Sequence, residues 1–253
     1  MRHVFITGAS SGLGRALARH YASQGATVGL VGRREDALRE LAATLPGAHA
    51  WYALDVRDRA ALHAAAGDFL SRSGGMVDGV IASAGISAGT LTEETRDFEV
   101  FQSIVQTNLL ATVATFEPFI AAMRRAGTGR LVGISSVAGV RGLPGAGAYS
   151  ASKAAVTVYC ESLRTELARD GIRVVTIAPG YIRTAMTADN PYRMPFLMDA
   201  DAFAARAAAA IARGRRYTVI PWQMGLVARM MRLLPNALYD RLARNAPRKP
   251  RQG

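Results

Sequence analysis

Cysteine occurs once in the 253 residues, as Cys160. One cysteine excludes an internal disulfide and offers no cysteine cluster for a metal. Histidine occurs four times, at positions 3, 20, 49 and 63. No two of them stand at a metal-ligand spacing, so no metal site is expected. Lysine is almost missing: of 31 basic residues only Lys153 and Lys249 are lysine, and 29 are arginine. There is no repeat, linker or low-complexity stretch, and a single domain over 1–253 is expected. The start, "MRHVFITGAS", runs from an apolar strand directly into glycine without the apolar core of a secretory signal. The longest uncharged helical run, Val100 to Phe116, is short and broken by Gln, Thr and Asn. It reads as too short and too polar to span a bilayer. These absences point to a soluble, cytoplasmic protein.

Acidic residues are also few, 19 against 31 basic ones, for a net charge of +12. The excess is uneven. Residues 206–253 hold ten arginines and Lys249 against the single Asp240, a net +10. Such a tail can serve an anionic membrane, a nucleic acid or an acidic partner, or it can be a solvated face. Nucleic acid is not expected here, and peripheral membrane contact is the less favoured alternative to packing.

Short β-branched runs alternate with Ala-, Leu- and Arg-rich helical stretches. Strands are expected at 3–7, 27–31, 48–54, 77–83, 129–135, 172–178 and 216–220. Helices are expected at 12–24, 34–44, 58–72, along 97–125 and at 148–169. Nearly continuous apolar strands separated by helices indicate a parallel sheet covered on both faces. The fold class is therefore α/β: a doubly wound, Rossmann-type sheet of about seven strands.

The first strand ends in "TGASSGLG", with Gly8, Gly12 and Gly14, and a helix follows at once. Glycines there let the backbone turn tightly and approach a pyrophosphate, while the helix start supplies free N–H groups. The spacing is G-x-x-x-G-x-G, and no G-K-[ST] follows, so it is not a P-loop. "GASSG" at 8–12 also fits the G-x-S-x-G elbow of a hydrolase. A triad on that serine needs a later histidine, and none follows His63. The second strand ends in "LVGRRE". An NAD site places a carboxylate there for the ribose hydroxyls. Gly32, Arg33 and Arg34 stand there instead, which favours a ribose 2′-phosphate. In "AYSASK", Tyr149 and Lys153 are four apart and share a helix face. In a chain that writes arginine wherever a generic cation would serve, the lysine marks a need for a compact ammonium.

Together these pieces resemble the short-chain dehydrogenase/reductase family, over residues 3 to about 185. The motifs are "TGASSGLG", "LDV" with Asp55, "ASAG" at 82–85, Asn108, Ser136, Tyr149 with Lys153, and "PGYIRT" at 179–184. The resemblance implies an NADP(H)-dependent oxidoreductase that interconverts a carbonyl and a secondary alcohol. Tyr149 would be the general acid/base, Lys153 its activator, Ser136 the hydroxyl that orients the carbonyl, and Asn108 part of a proton relay. The cofactor would lie on Gly8, Ser10, Ser11, Gly12, Leu13, Gly14, Arg33, Arg34, Asp55, Val56, Ala84, Gly85, Tyr149, Lys153, Pro179, Gly180, Ile182 and Thr184. Asp55 would contact the adenine, and Thr184 would lie near the carboxamide. One departure is Ala82 and Ser83, where the family usually has Asn. The Lys153 ammonium is expected to lower the Tyr149 pKa from its ordinary value near 10.

Residues 185–213 are expected to form a substrate lid. Met186, Tyr192, Met194, Phe196, Leu197 and Met198 make it apolar. The implied substrate is a small apolar carbonyl or alcohol, and a homodimer or homotetramer is the expected assembly. Residues 222–253 read as two short amphipathic helices broken at Pro235, with Leu226, Met230, Leu233 and Leu234 on one face. Two readings outside catalysis remain: a non-catalytic NADP-binding sensor, and a membrane-associated protein held by the basic segment.

Overall fold

A computed structural model describes residues 1–188, 190, 192–246 and 248–251. Asp189 and Pro191 of the expected lid, and Pro247, Gln252 and Gly253 of the C-terminal segment, lie outside the described residues.

In chain order the elements are β1 (His3–Thr7), α1 (Gly12–Ser23), β2 (Thr27–Gly32), α2 (Glu35–Thr44), β3 (Ala50–Ala53), α3 (Arg59–Arg72) and β4 (Gly79–Ala82). Then come α4 (Asp97–Val105), α5 (Ala111–Ala126), β5 (Gly129–Ile134), α6 (Gly147–Glu166), β6 (Ile172–Pro179), β7 (Ile182–Arg183) and α7 (Ala185–Ala188). The chain ends with β8 (Met198–Asp199), α8 (Ala200–Ala212), β9 (Tyr217–Ile220), α9 (Trp222–Leu233) and α10 (Asn236–Ala243). Seven parallel strands form the sheet in the order β3-β2-β1-β4-β5-β6-β9, and β7 and β8 pair separately. The order reverses between β1 and β4. That leaves a crevice beyond their carboxyl ends, where ligands of such sheets bind.

Period-two alternation sends each strand's side chains to two different cores. Val4 and Ile6 of β1, Leu30 of β2, Ile134 of β5 and Ile177 of β6 face one side, packed on Leu17, Tyr21, Leu38 and Phe203. Phe5, Val31, Val80, Leu131 and Val174 face the other, against Leu62, Phe69, Phe119 and Val156. Phe5 lies 4.8 Å from the Phe119 ring and 5.5 Å from the Phe69 ring. Both separations suit favourable tilted aromatic contact. Both faces are sealed, which is why the strands read as apolar runs in the sequence.

Two expectations need correction and one gains detail. The helical stretches along 97–125 are joined by a π-helical turn, Gln106–Leu110, between α4 and α5. Its cause lies in the site described below, where the turn directs Asn108 inward. Asp97–Ala126 also runs for 30 residues with a most apolar 18-residue window of mean hydropathy 1.2, a length and composition that suffice to cross a bilayer, contrary to the sequence reading. Half of its most apolar window is buried within the protein, and it packs on α3 and α6 as a core helix. Finally, the 185–213 lid is too long. Phe203, Ala204, Ala207 and Ile211 of α8 are buried against α1. The alanine run there reflects close helix packing, and a lid can extend only over 185–199.

Candidate active site

A cavity of about 240 Å³ opens at the carboxyl edge of the sheet where the strand order reverses. Its floor is the turn from β1 into α1. Gly14 is required by close packing, because a Cβ there would stand 2.3 Å from the Gly8 carbonyl oxygen. Ser11 caps α1 in an extended conformation but makes no side-chain hydrogen bond to the first turn. The first N–H groups of α1 are therefore left for an anion, a role suited to the partial positive charge of a helix start.

Of the sequence candidates, Gly8, Ser10, Ser11, Gly12, Leu13, Gly14, Arg33, Asp55, Val56, Ala84, Gly85, Ser136, Tyr149, Lys153, Pro179, Gly180, Ile182 and Thr184 all line this one cavity. Two do not. Arg34 is turned back onto the glycine loop, where its guanidinium donates to the Ser10 carbonyl at 2.9 Å. Asn108 lies wholly buried behind the wall. Among the described residues Arg33 is exposed at the end of β2 with neither a hydrogen bond nor an ion pair, and its charge is felt by Asp55. Asp55 itself is gripped by Arg57 at 2.7 Å. That hydrogen-bonded pair holds its carboxyl below the usual range. Its side chain is thus less free for an adenine than the motif implies.

The inner end is built from β5, α6 and the π turn. Ser136 follows β5 in extended backbone, and its Oγ accepts from the Ala138 N–H at 3.1 Å. Tyr149 and Lys153 sit one turn apart on α6, with Nζ 5.8 Å from the phenol ring centre. Lys153 is 5% exposed, and its Nζ donates to the Ile134 carbonyl at 2.8 Å. Burial disfavours its charge and pulls its pKa down to about 8. Gly85 gives the ammonium room: a Cβ there would stand 3.4 Å from Nζ and 3.2 Å from Asn108 Oδ1.

Tyr149 departs from expectation. Burial raises its pKa above 10.0, and the Ser136 hydroxyl offsets only part of that rise. Desolvation of the phenolate is the larger effect, and it favours the neutral phenol.

Asn108 is held from both sides. Its Oδ1 accepts from the Ile86 N–H at 2.8 Å, and its Nδ2 donates to the Ile86 carbonyl at 3.1 Å and to Ser152 Oγ at 2.9 Å. The π turn widens the helix so that this amide pins the loop after β4 to α6. Ser135 does the same from the strand side, its Oγ donating to the Lys153 carbonyl at 2.8 Å. Sequence reasoning did not single out Ser135, Ser152, Ile86 or Thr107. Ser135 and Ser152 adjoin Ser136 and Lys153, the only hint available. Tyr192 has its pKa raised by burial first, and then by the neighbouring Tyr181 and Tyr149 phenols.

The hydrolase alternative fails on position. His49 bonds the Val28 N–H and the Pro46 carbonyl, His63 meets Glu117, His3 lies by Asp78, and His20 packs on Tyr21. Each histidine is committed away from Ser10, whose Oγ rests against Gly32.

Comparison with known proteins bears on the family of the whole chain. The family model described as short chain dehydrogenase matches residues 2–194. An uncharacterized oxidoreductase of Myxococcus xanthus is 39% identical over 246 residues, 96% of each chain. A 2-dehydro-3-deoxy-L-rhamnonate dehydrogenase (NAD(+)) of a Sphingomonas species is 38% identical over 178 residues, 70% of this chain and 71% of the relative. Among solved structures, levodione reductase superposes with a TM-score of 0.77 at 27% identity, covering 88% of this chain and 98% of the other. With the sheet order, the glycine cradle and the Ser136–Tyr149–Lys153 cluster in place, this chain is an oxidoreductase and belongs to the short-chain dehydrogenase/reductase family.

Proposed function

We propose that the enzyme reduces an apolar carbonyl compound, or oxidises the matching secondary alcohol, with NADP(H), and that Tyr149 carries the proton. The observation behind this reading is the convergence of Tyr149, Ser136 and Lys153 at one end of a cavity whose other end presents an unpaired arginine.

The residues present fit a dinucleotide. The open N–H groups of α1 suit a pyrophosphate. The buried Lys153 ammonium, with donors beyond its one carbonyl bond, suits ribose hydroxyls. Arg33 suits a 2′-phosphate, and no carboxylate stands at the end of β2 to repel it. Family membership alone does not select the cofactor, since the Sphingomonas relative's name specifies NAD(+). The preference rests on Arg33.

When bound, the nicotinamide supplies or accepts the hydride. The protein's part is charge and proton. A ketone gaining hydride develops negative charge on oxygen. The Ser136 hydroxyl donates to that oxygen. The Tyr149 phenol, kept protonated by burial, delivers the proton. The phenolate left behind is then stabilised by the Lys153 ammonium one helical turn away. Asn108 holds the loop and α6 in register, and through Ser152 it reaches the carbonyl of Tyr149. The alcohol direction runs the same steps in reverse.

Ile86, Ile182 and Met186 line the cavity, and Tyr192, Met194 and Phe196 lie in the segment that would cover it. Such walls favour an apolar substrate. A spectrophotometric panel tests this: apolar ketones, aldehydes and 3-oxoacyl compounds beside sugars and short hydroxy acids, each with NADPH and NADH. The expected result is turnover with NADPH on apolar carbonyls. Preference for a polyanionic substrate, or equal use of both cofactors, overturns it.

A further inference from the structure

The C-terminal helix pair is fixed to the protein from one side and bare on the other. Arg141 does the fixing. Its guanidinium donates to the Met231 carbonyl at 2.6 Å, the Leu234 carbonyl at 2.7 Å and Asn236 Oδ1 at 2.7 Å. It also lies 4.0 Å over the Tyr239 ring. Tyr239 in turn donates to the Gly142 carbonyl at 2.5 Å. Both helices are thereby held at the break that Pro235 makes.

Only the inner face of α9 is used for packing. Met224 and Ala228 are buried, and Met224 sits against Gly180, part of the cavity wall. On the opposite face Trp222, Leu226, Met230 and Leu233 are 64%, 53%, 69% and 76% exposed. Their spacing places them within one narrow stripe. On α10, Leu238 and Leu242 are exposed as well, one turn apart. The sequence showed an apolar face here; the fold leaves most of it uncovered.

Arg229, Arg232, Arg241 and Arg244 are exposed among these residues, and among the described residues none has an acidic partner. Asp240 is the single acid between 222 and 246.

We propose that this outer face docks on an anionic lipid surface. Exposed Leu, Met and Trp interleaved with arginines that lack an acidic partner is the composition of a helix lying in a membrane interface. Trp suits the headgroup level. Arg232 also donates to the Val140 carbonyl at 3.4 Å. Each basic residue near an anionic leaflet is worth roughly fivefold in binding, so the other three give about a hundredfold. A second copy of the chain fits less well. Two such faces would bring eight arginines together with only two aspartates, and interface centres are depleted in charge. Duplex DNA would match the arginines but has no use for the apolar stripe between them. The docked helix would stand between the bilayer and the cavity wall at Gly180. The proposal does not depend on the cofactor or substrate reading, because its test needs neither.

The test is co-sedimentation of the full-length protein with phosphatidylcholine vesicles, with and without phosphatidylglycerol, over a salt series. Trp222 emission is followed in a Trp51→Phe background. The expected result is binding to the anionic vesicles alone, a blue shift of Trp222, and loss of binding with added salt. Leu226→Gln with Leu233→Gln, both at exposed positions, should weaken binding at least tenfold with an unchanged melting temperature. Arg229→Gln with Arg244→Gln should weaken it about twentyfold. Failure to bind, equal binding to neutral vesicles, or tighter binding to duplex DNA at the same salt overturns the proposal. So does a dimer in light scattering that Leu226→Gln with Leu233→Gln dissociates while vesicles are ignored.

Discussion

The glycine loop and the C-terminal tail both border the active-site cavity, yet they do so by opposite means. The loop acts through neighbours: Gly8, Ser11 and Gly14 lie within seven residues and shape one turn. The tail acts through partners far away in the chain. Arg251 pairs with Asp97, 154 positions earlier, and Lys249 donates to the carbonyl of Met186, which lines the cavity. Local geometry can be written as a spacing, and long-range pairing cannot. The loop's chemistry was therefore legible in the sequence, whereas the tail's was visible only as excess charge.

Breaking the loop should have the larger effect. Gly14→Ala places a methyl group 2.3 Å from a backbone oxygen that cannot rotate away. We expect a loss of about 3 kcal/mol in urea unfolding, the upper range for overpacking. Cofactor binding should fall about a hundredfold, as α1 is pushed off the cradle.

Arg33→Ala sharpens the comparison on the cofactor side. A charge-assisted hydrogen bond is worth about 1.5–3 kcal/mol. Fluorescence titration should show NADPH affinity falling by roughly ten- to a hundredfold while NADH affinity barely changes. Equal losses for both would remove Arg33 from phosphate recognition. Arg34→Ala, which loses only a brace to Ser10, should affect both cofactors alike.

Lys153→Met should stabilise the protein without its cofactor. Folding lowers the Lys153 pKa from 10.5 to about 8. Below pH 8 the lysine is charged in both states, and the folded state carries the full desolvation cost, about 3 kcal/mol. Between pH 8 and 10.5 the folded state releases the proton first, so wild-type stability rises with pH across that window. Methionine removes the cost and also the bond to Ile134, worth about 1 kcal/mol. The net gain should be about 2 kcal/mol at neutral pH and shrink toward pH 10.5 in pH-dependent unfolding.

On the tail side, Arg251→Ala should have the smallest effect, a slight drop in the midpoint of thermal unfolding. Asp97 is 3% exposed and loses its partner, but Arg251 is one-third exposed and screened by water.

What the sequence concealed follows the same division. All seven strands of the central sheet and the break at Pro235 were legible, because apolar runs and proline act locally. The π turn was not, since its reason is the contact between Asn108 and Ile86 across 22 positions. The alanine-rich run of α8 looked like a mobile cover because its partner, α1, lies nearly two hundred residues before it. Arg33 and Arg34 are neighbours in the sequence, which ranks Arg33, beside the small Gly32, first as the phosphate reader and Arg34 second. They differ because the backbone at the start of α2 turns one toward the cavity and the other onto Ser10.

Proton transfer by Tyr149 is most directly tested by single-turnover reduction of an apolar ketone with NADPH already bound. Wild type and Tyr149→Phe are compared, with cofactor affinity measured separately. Phenylalanine keeps the ring and removes only the hydroxyl. Unchanged NADPH affinity with a hydride-transfer rate lower by about 10²-fold or more is the outcome expected for loss of a general acid. A rate within a few-fold of wild type would mean that another group supplies the proton.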